Sequence, residues 1–309
     1  MMKKRGWICL LSCLMLLIPS ITVRAADKLL VIASFSILTD LTQQIGGDRL
    51  RVHTLVESGN DAHVHQPTPA DARILSQARL VIVNGLGFEG WIDRLIKASA
   101  YQGKIVIASQ GITPLYLAPA GRSSSPHEHH APTGSIDPHA WQDLNNARIY
   151  VTNITNALSE IDPANKFFFQ ANATRLREQL NTLDRQIRNT FNSIPVEQRK
   201  VVSSHDAFNY FGRAYGIRFI APLGMTTDAE PSAANVGAII RQIRQEKIKA
   251  LFMENITDSR LLERISRESG ARLGGTLYSD SLAKPGSPAD NYMGMISHNA
   301  KTLSSALTE

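Results

Sequence analysis

Residues 163–195 read PANKFFFQANATRLREQLNTLDRQIRNTFNSIP, with no glycine or proline between the first residue and the last. The apolar residues of this stretch recur at steps of three and four, the period of a helix that packs along one face. The residues in the pattern are Phe167, Phe168, Ala171, Leu176, Leu180, Leu183, Ile187, Phe191 and Ile194. A helix of about 30 residues would be about 45 Å long. The stretch predicts a stiff connector along two parts of the chain; the alternative is a lone amphipathic helix on one domain.

Apolar runs alternate with amphipathic segments on both sides of this stretch. Before it, the pattern predicts strands over residues 29–35, 52–56, 80–84 and 104–108, and helices over 37–45, 68–78, 91–100 and 147–158. After it, strands are predicted over residues 201–203, 218–221, 250–253 and 272–277, and helices over 207–215, 233–246 and 258–269. Such alternation indicates parallel sheets covered by helices. We predict an α/β fold of two parallel-sheet lobes, residues 26–160 and 197–309, joined by a long rigid helix within residues 161–196.

Residues 1–25 have the composition of a cleavable export signal. Basic residues 3–5 precede an apolar run that ends at Val23-Arg24-Ala25, a small-residue cleavage site. The mature chain is therefore expected to begin near Ala26 in an exported, periplasmic protein. Two alternatives stay open: Leu10-Leu11-Ser12-Cys13 resembles a lipidation site, and the run could remain as a short membrane anchor.

Both cysteines, Cys9 and Cys13, lie inside this leader, so the mature chain has no disulfide and depends on its core. Four of the 33 basic residues and none of the 27 acidic residues lie in the leader, which leaves a mature charge of +2. That balance gives no reason to expect a nucleic acid or another polyanion as partner.

Residues 113–137 are rich in proline, serine and glycine and have no apolar period. They predict a mobile loop in the first lobe. His127-Glu128-His129-His130 stands in the middle of this segment.

Three histidines and one aspartate follow predicted strands or precede helices, where α/β folds place their ligands. They are His63, His139, His205 and Asp280. A histidine in such a loop is, by itself, more often a surface residue. Together, three imidazoles and a carboxylate, two from each lobe, can close a tetrahedral Zn²⁺ site with ligand distances of about 2.0 to 2.2 Å. We therefore predict a metal cleft between the lobes.

The neighbouring residues suit such a site. Asp137 is close enough in sequence to accept a proton from His139 and fix its tautomer, although it could equally only initiate a turn. Thr68 and Pro69 are predicted to begin a helix beyond His63, and Asp143 is predicted to cap the helix beyond His139.

Two other classes of protein stay open on the residues alone. One is an exported zinc hydrolase with Glu254 as general base, although four protein ligands leave no open position for water. The other is an adhesin in which the metal is structural. The run Ser203-Ser204-His205-Asp206 is no catalytic triad by itself, since triads are adjacent in space rather than in sequence.

The motifs around the four residues resemble the zinc and manganese substrate-binding proteins of ABC importers, the ZnuA and TroA type. The stretches that carry this resemblance are Asp61-Ala62-His63 with Pro67-Thr68-Pro69, Asp137-Pro138-His139-Ala140-Trp141, residues 204–211 (SHDAFNYF) and Tyr278-Ser279-Asp280-Ser281-Leu282. The resemblance implies a binding protein without catalysis that delivers metal to a membrane permease. A monomer is expected, with a periplasmic metallochaperone as a second partner.

The resemblance also implies the metal ligands His63, His139, His205 and Asp280. Manganese-selective members often have Glu at the position of His205, so this chain is expected to prefer Zn²⁺, with Mn²⁺ or Fe²⁺ as alternatives. Two residues depart from the family pattern: Ala62 replaces a proline and His65 replaces an aromatic residue. His65 is expected to be at most an outer or transient ligand. His127, His129 and His130 are expected to capture metal, because zinc-type members carry histidine-rich loops; the alternative is an incidental polar loop.

Overall fold

The computed structural model describes residues 28–117, 134–228 and 230–308. The predicted leader and the cluster His127-Glu128-His129-His130 lie outside the described residues. Expectations about cleavage, lipidation and metal capture by that cluster therefore stay predictions.

The first lobe is built on a parallel sheet with the strand order β2-β1-β3-β4. Its strands are β1 (Leu29–Phe35), β2 (Leu50–Val56), β3 (Leu80–Val83) and β4 (Lys104–Ile107). Its helices are α1 (Ser36–Gly46), α2 (Pro69–Leu75), α3 (Ile92–Ala98) and α4 (Leu144–Ile161). Every strand and helix predicted for this lobe is present. The predicted caps are also confirmed: Thr68 forms a capping box with Asp71, and the side chain of Asp143 accepts a hydrogen bond from the Asn145 amide.

A ribbon of two short antiparallel strands, β5 (Tyr116–Leu117) and β6 (Ser135–Ile136), follows in the chain. It lies within residues 113–137, which were predicted to be a mobile loop throughout. The structure corrects this prediction at both ends, because Tyr116 pairs with Ile136 and Leu117 with Ser135. The ribbon leads directly into Asp137 and His139, so residues 134–137 are anchored where the first lobe reaches the predicted metal site.

The second lobe repeats the topology of the first. Its parallel strands are β7 (Lys200–Val202), β8 (Arg218–Ile220), β9 (Ala250–Glu254) and β10 (Arg272–Leu277), in the order β8-β7-β9-β10. Its helices are α6 (Asn209–Tyr215), α7 (Ala233–Glu246), α8 (Arg260–Ser269) and α9 (Tyr292–Thr308). In each sheet the first and third strands of the lobe lie side by side at the centre. Helix α9 was not predicted. The carboxyl ends of those central strands form a topological switch point, where α/β folds bind ligands.

The connector is helix α5 (Lys166–Asn192), with 27 residues and no interruption. It packs against α1 and α4 of the first lobe and against α6 and α9 of the second. The prediction of one helix along both lobes is thus confirmed, and the alternative of a helix on one domain is wrong. Two residues assigned to its apolar face are exposed, since Phe167 is 82% accessible and Ala171 points outward. Phe169 and Ala173 take their places, because Phe169 lies seven residues, about two turns, before Leu176.

One hydrophobic cluster runs through both lobes. It joins β1 and α1 of the first lobe to β7, β9 and α9 of the second, with the buried side of α5 between them. A smaller separate cluster lies in the second lobe beneath α7 and α8. Across the ranges that the structure describes, none of the helices has the length and apolar character needed to cross a membrane.

Candidate metal centre

Four side chains from the two lobes converge at the cleft between the sheets. They are His63, His139, His205 and Asp280, and their ligand atoms all lie within 4.8 Å of one another. His63 Nε2 is 3.2 Å from His139 Nε2 and 3.1 Å from Asp280 Oδ2. His205 Nε2 is also 3.1 Å from Asp280 Oδ2. The structure therefore brings together the four residues that the sequence selected.

The spacing of these atoms suits a small tetrahedral ion. Ligands about 2.1 Å from a tetrahedral centre lie about 3.4 Å from each other. The contacts with Asp280 range from 3.1 to 3.5 Å, and its Oδ1 is buried with no hydrogen-bond partner among the described residues. A buried carboxylate that faces three imidazoles and has one oxygen without a donor is the arrangement expected of a metal ligand.

His139 is oriented by a carboxylate, as the sequence predicted. Asp137 Oδ1 lies 2.8 Å from His139 Nδ1 and also accepts a hydrogen bond of 2.9 Å from the His139 amide. Both residues are fully buried. This contact leaves Nε2 of His139 free to face the cleft. Asp137 therefore fixes the tautomer of His139 and is more than a turn residue.

Glu254 lies against His205; the sequence alone indicated Glu254 only as the general base of a hydrolase. Glu254 Oε2 is 2.6 Å from His205 Nδ1, and Glu254 Oε1 accepts hydrogen bonds from the amides of Ser204 and His205 at 2.8 and 3.0 Å. Glu254 ends β9, which lies beside β7 in the sheet. The sequence signal for this role was the placement of an acidic residue at the end of a central strand.

His63 has different surroundings. Its side chain is only 3% exposed and packs edge-on against Phe88, with 4.7 Å between ring centroids. Phe88 in turn contacts Phe35 and Trp141, so aromatic rings form the first-lobe wall of the site. Among the described residues no carboxylate contacts Nδ1 of His63. Instead, Asp61 Oδ1 accepts a hydrogen bond of 2.8 Å from the His63 amide.

Asp280 follows a strand of the second lobe, but the first lobe fixes its loop. The carbonyl of Ser279 accepts hydrogen bonds from Trp141 Nε1 at 2.9 Å and from Gln142 Nε2 at 2.7 Å. On the other side of Asp280, the amide of Leu282 donates to Ser36 Oγ at 3.0 Å. Asp280 is therefore held from both sides by residues of the opposite lobe.

In the metal-free site, positively charged imidazoles of His139 and His205 lie beside negatively charged carboxylates. Burial lowers the pKa of His139, but the charge of Asp280 and the contact with Asp137 outweigh it and raise the pKa to about 9. Burial opposes the charge of His205 in the same way, yet Glu254 and Asp280 hold its pKa well above the usual value. Burial would raise the pKa of Asp280, but the two imidazolium groups hold it well below its usual range. Protons therefore compete with metal for the two imidazoles.

The structure places His65 outside this group. Its ring packs edge-on against Trp91 with 4.7 Å between centroids, and its Nε2 is buried without a hydrogen-bond partner among the described residues. Burial lowers the pKa of His65. Its ring therefore packs on Trp91, and its role in metal capture stays a prediction.

Comparison with known proteins agrees with this geometry. Residues 31–306 match the family described as "ZnuA: Zinc-uptake complex component A periplasmic". The chain is 33% identical over 291 residues to the manganese ABC transporter substrate-binding lipoprotein PsaA of Streptococcus pneumoniae, covering 92% of this chain and 91% of that protein. It is 32% identical to the metal ABC transporter substrate-binding lipoprotein FimA of Streptococcus parasanguinis, with the same coverage.

Solved structures agree in fold as well as in sequence. The periplasmic zinc binding protein TroA from Treponema pallidum superposes with a TM-score of 0.81 at 28% identity, covering 91% of this chain and 99% of that one. The Mn-bound periplasmic metal binding protein from Candidatus Liberibacter asiaticus has a TM-score of 0.78 at 31% identity, covering 91% and 100%. These matches confirm the two-lobed fold and the resemblance found in the motifs. The chain belongs to the ZnuA/TroA family and is a substrate-binding protein of a metal ABC transporter, not an enzyme.

Proposed function

We propose that this chain captures Zn²⁺ outside the cytoplasm, in the periplasm, with His63, His139, His205 and Asp280 as ligands, and delivers it to the permease of an ABC importer. The observation that carries the preference for zinc is the donor set, because three imidazole nitrogens meet only one carboxylate. Nitrogen-rich tetrahedral sites suit Zn²⁺, whereas Mn²⁺ favours oxygen ligands and higher coordination numbers.

Manganese is the second candidate, and the relatives support it. PsaA, which is named for manganese, is 33% identical to this chain, and the Mn-bound Liberibacter protein is 31% identical. TroA, which is named for zinc, is 28% identical. Zn²⁺ binds more tightly than Mn²⁺ at almost any nitrogen and oxygen site. Affinity alone therefore does not identify the transported metal.

The test combines metal binding with transport. We expect the metal-free protein to bind one Zn²⁺, and we expect His139→Ala or Asp280→Ala to weaken binding by more than about 100-fold, since a lost ligand costs more than a lost outer partner. His53→Ala is the control, because His53 lies on β2 away from the four ligands. Competition titration against a chelator measures all four proteins. Full affinity in both ligand variants would show that the metal binds elsewhere.

The identity of the transported metal is tested in cells that lack this gene. Growth in chelated medium is expected to recover on addition of Zn²⁺ only when the wild-type gene is present. Recovery that depends on Mn²⁺ instead would overturn the zinc proposal and support manganese. A His205→Glu variant sharpens the result, because a second carboxylate should shift the preference toward Mn²⁺.

Three further expectations belong to this proposal. The cluster His127-Glu128-His129-His130 would bind Zn²⁺ weakly and pass it to the cleft, which deletion of the loop tests through the rate of loading at low zinc. The protein would act as a monomer, and a metallochaperone could supply it with metal. Size-exclusion chromatography with light scattering tests whether the protein is a monomer. Transfer of Zn²⁺ from a zinc-loaded donor protein tests whether a metallochaperone can supply it.

A further inference from the structure

Asp61 lies in the first lobe and contacts one residue in each lobe. Its Oδ1 accepts the hydrogen bond from the amide of His63 at 2.8 Å. Its Oδ2 accepts a hydrogen bond from Thr227 Oγ1, which belongs to the second lobe. The loop that carries His63 is therefore joined, through one carboxylate, to a segment 166 residues further along the chain.

This contact matters because His63 lacks the support that the other two histidines have. Asp137 and Glu254 fix the rings of His139 and His205, whereas no carboxylate contacts the second ring nitrogen of His63 in the described part of the chain. The position of His63 depends on packing against Phe88 and on the bond from its backbone to Asp61. Of the three imidazoles, it is the one best placed to leave the metal first.

A cavity of about 670 Å³ lies beside the contact. Its lining includes Asp61 from the first lobe and Ser204, Thr227 and Glu230 from the second. Asp61 and Ser204 are near neighbours in sequence of the ligands His63 and His205. Ser204 is 3% exposed, and its Oγ has no hydrogen-bond partner among the described residues. The loop of His63 thus has open space next to it on the side of the second lobe.

We infer that Thr227 and Asp61 form a clasp between the lobes that holds His63 on the metal and sets the rate of metal exchange. The inference rests on the proposed metal site. Both residues are positioning residues: neither is a ligand. When the hydroxyl of Thr227 leaves Asp61, the loop of His63 is free to move into the cavity, and the metal loses one of its four ligands. A local movement of this kind is compatible with the stiff connection that α5 imposes on the lobes.

The experiment removes the hydroxyl group and then restores it. Thr227→Val keeps the shape of the side chain but cannot donate to Asp61, and Thr227→Ser restores the donor. Thr226→Val is the matched control, because Thr226 Oγ1 donates to Asp228 within its own loop. Each protein is loaded with Co²⁺ or Zn²⁺ alone and mixed with excess chelator. The release rate is followed by stopped flow, and the Co²⁺ absorption spectrum reports the ligand set.

We expect Thr227→Val to release metal about tenfold faster, the lower end of the effect of losing an outer partner. Thr227→Ser and Thr226→Val should release metal at the wild-type rate, and the Co²⁺ spectrum should be the same in all four proteins. An unchanged rate in Thr227→Val, or equal acceleration in Thr227→Ser, would overturn the clasp. Thr227→Ala replaces Thr227→Val if the valine variant does not fold. Failure of the wild-type protein to bind either ion would instead contradict the proposed function.

Discussion

The two lobes have the same strand order, but they use the switch point of the sheet differently. Each has one buried glutamate there. In the second lobe, Glu254 Oε1 accepts hydrogen bonds from the amides of Ser204 and His205, and Glu254 Oε2 lies 2.6 Å from Nδ1 of His205, a proposed metal ligand. In the first lobe, Glu89 accepts hydrogen bonds of 2.6 Å from Ser34 Oγ and from the amide of Asn84, and it contacts no ligand.

The first lobe reaches the proposed metal site through an additional layer of residues. Asn84 Nδ2 donates to the carbonyl of Pro138 at 2.9 Å, and Pro138 precedes the ligand His139. Glu89 therefore supports the backbone on which His139 stands, whereas Glu254 contacts His205 directly. We expect a buried carboxylate beside the central strands of either sheet to affect stability or metal affinity, depending on which residues it contacts.

The largest expected effect that tests this difference is the dependence of Zn²⁺ affinity on pH. His139 has a pKa of about 9 without metal and the pKa of His205 is well above its usual value, so binding near neutral pH releases two protons. Affinity should then rise by about 100-fold per pH unit from about pH 6 to 8. In Glu254→Gln the pKa of His205 falls and the slope should approach about tenfold per unit. Equal slopes in the two proteins, measured by competition titration, would contradict the role of Glu254.

The stability of the metal-free protein should change with pH in the opposite direction. The raised pKa of His139 contributes stability that is fully present below the unfolded value of about 6.5 and is lost as pH rises toward about 9. The lowered pKa of Asp280 contributes stability that is present above about pH 4 and is lost in stronger acid. The Tm of the metal-free protein should therefore fall between about pH 6.5 and 9, while the increase in Tm on adding Zn²⁺ grows. A metal-free Tm that rises over this range would show that the imidazoles are neutral.

The second effect is the loss of affinity in Glu254→Gln at a fixed pH. Removing the carboxylate takes away the partner that orients His205, which typically costs about 10- to 100-fold in affinity. Titration with Zn²⁺ at pH 8, where fewer protons compete, separates this loss of affinity from the change in how steeply affinity depends on pH. Asp137→Asn should behave alike, because Asp137 has the equivalent contact with His139. A loss in only one of the two variants would show that the two imidazoles are supported unequally.

The smallest effect on affinity is expected for Glu89→Gln. Its amide group would face the donors of Ser34 and Asn84, so the free energy of unfolding should fall by about 1 to 3 kcal/mol. Zn²⁺ affinity should change by less than about threefold, because the substitution is separated from the ligands by intervening residues. Urea unfolding and competition titration measure the two quantities. A loss of affinity equal to that of Glu254→Gln would remove the distinction between the lobes.

Much of this arrangement is predictable from local sequence. The helix and strand patterns placed almost every element, and the strand ends pointed to His63, His139, His205 and Asp280. The face of α5 was partly misassigned, because three phenylalanines stand in a row and only packing decides that Phe169, rather than Phe167, is buried. The β5–β6 ribbon was missed, because its pairing joins residues that are distant in the chain and carry no apolar period.

The supporting contacts could not be predicted, since they depend on which strands become neighbours. Glu254 meets His205 only because β9 lies beside β7, across 49 residues of chain. The contact between Thr227 and Asp61 spans still more of the sequence and joins two irregular loops. Motifs identify ligands because the chemistry of the donor atoms is local. The residues that hold those ligands in place are specified by the fold.

Helix α5 has a consequence for how the protein unfolds. Its buried side contributes to one hydrophobic cluster that contains strands from both sheets, so neither lobe keeps a complete core when the other is lost. Melting one lobe would expose the apolar residues of α5 along half of the helix, at about 25 cal/mol for each Å² of that surface. The two lobes should accordingly behave as one cooperative unit. A metal ion in the cleft then protects amides against hydrogen exchange in both sheets, including those far from any ligand.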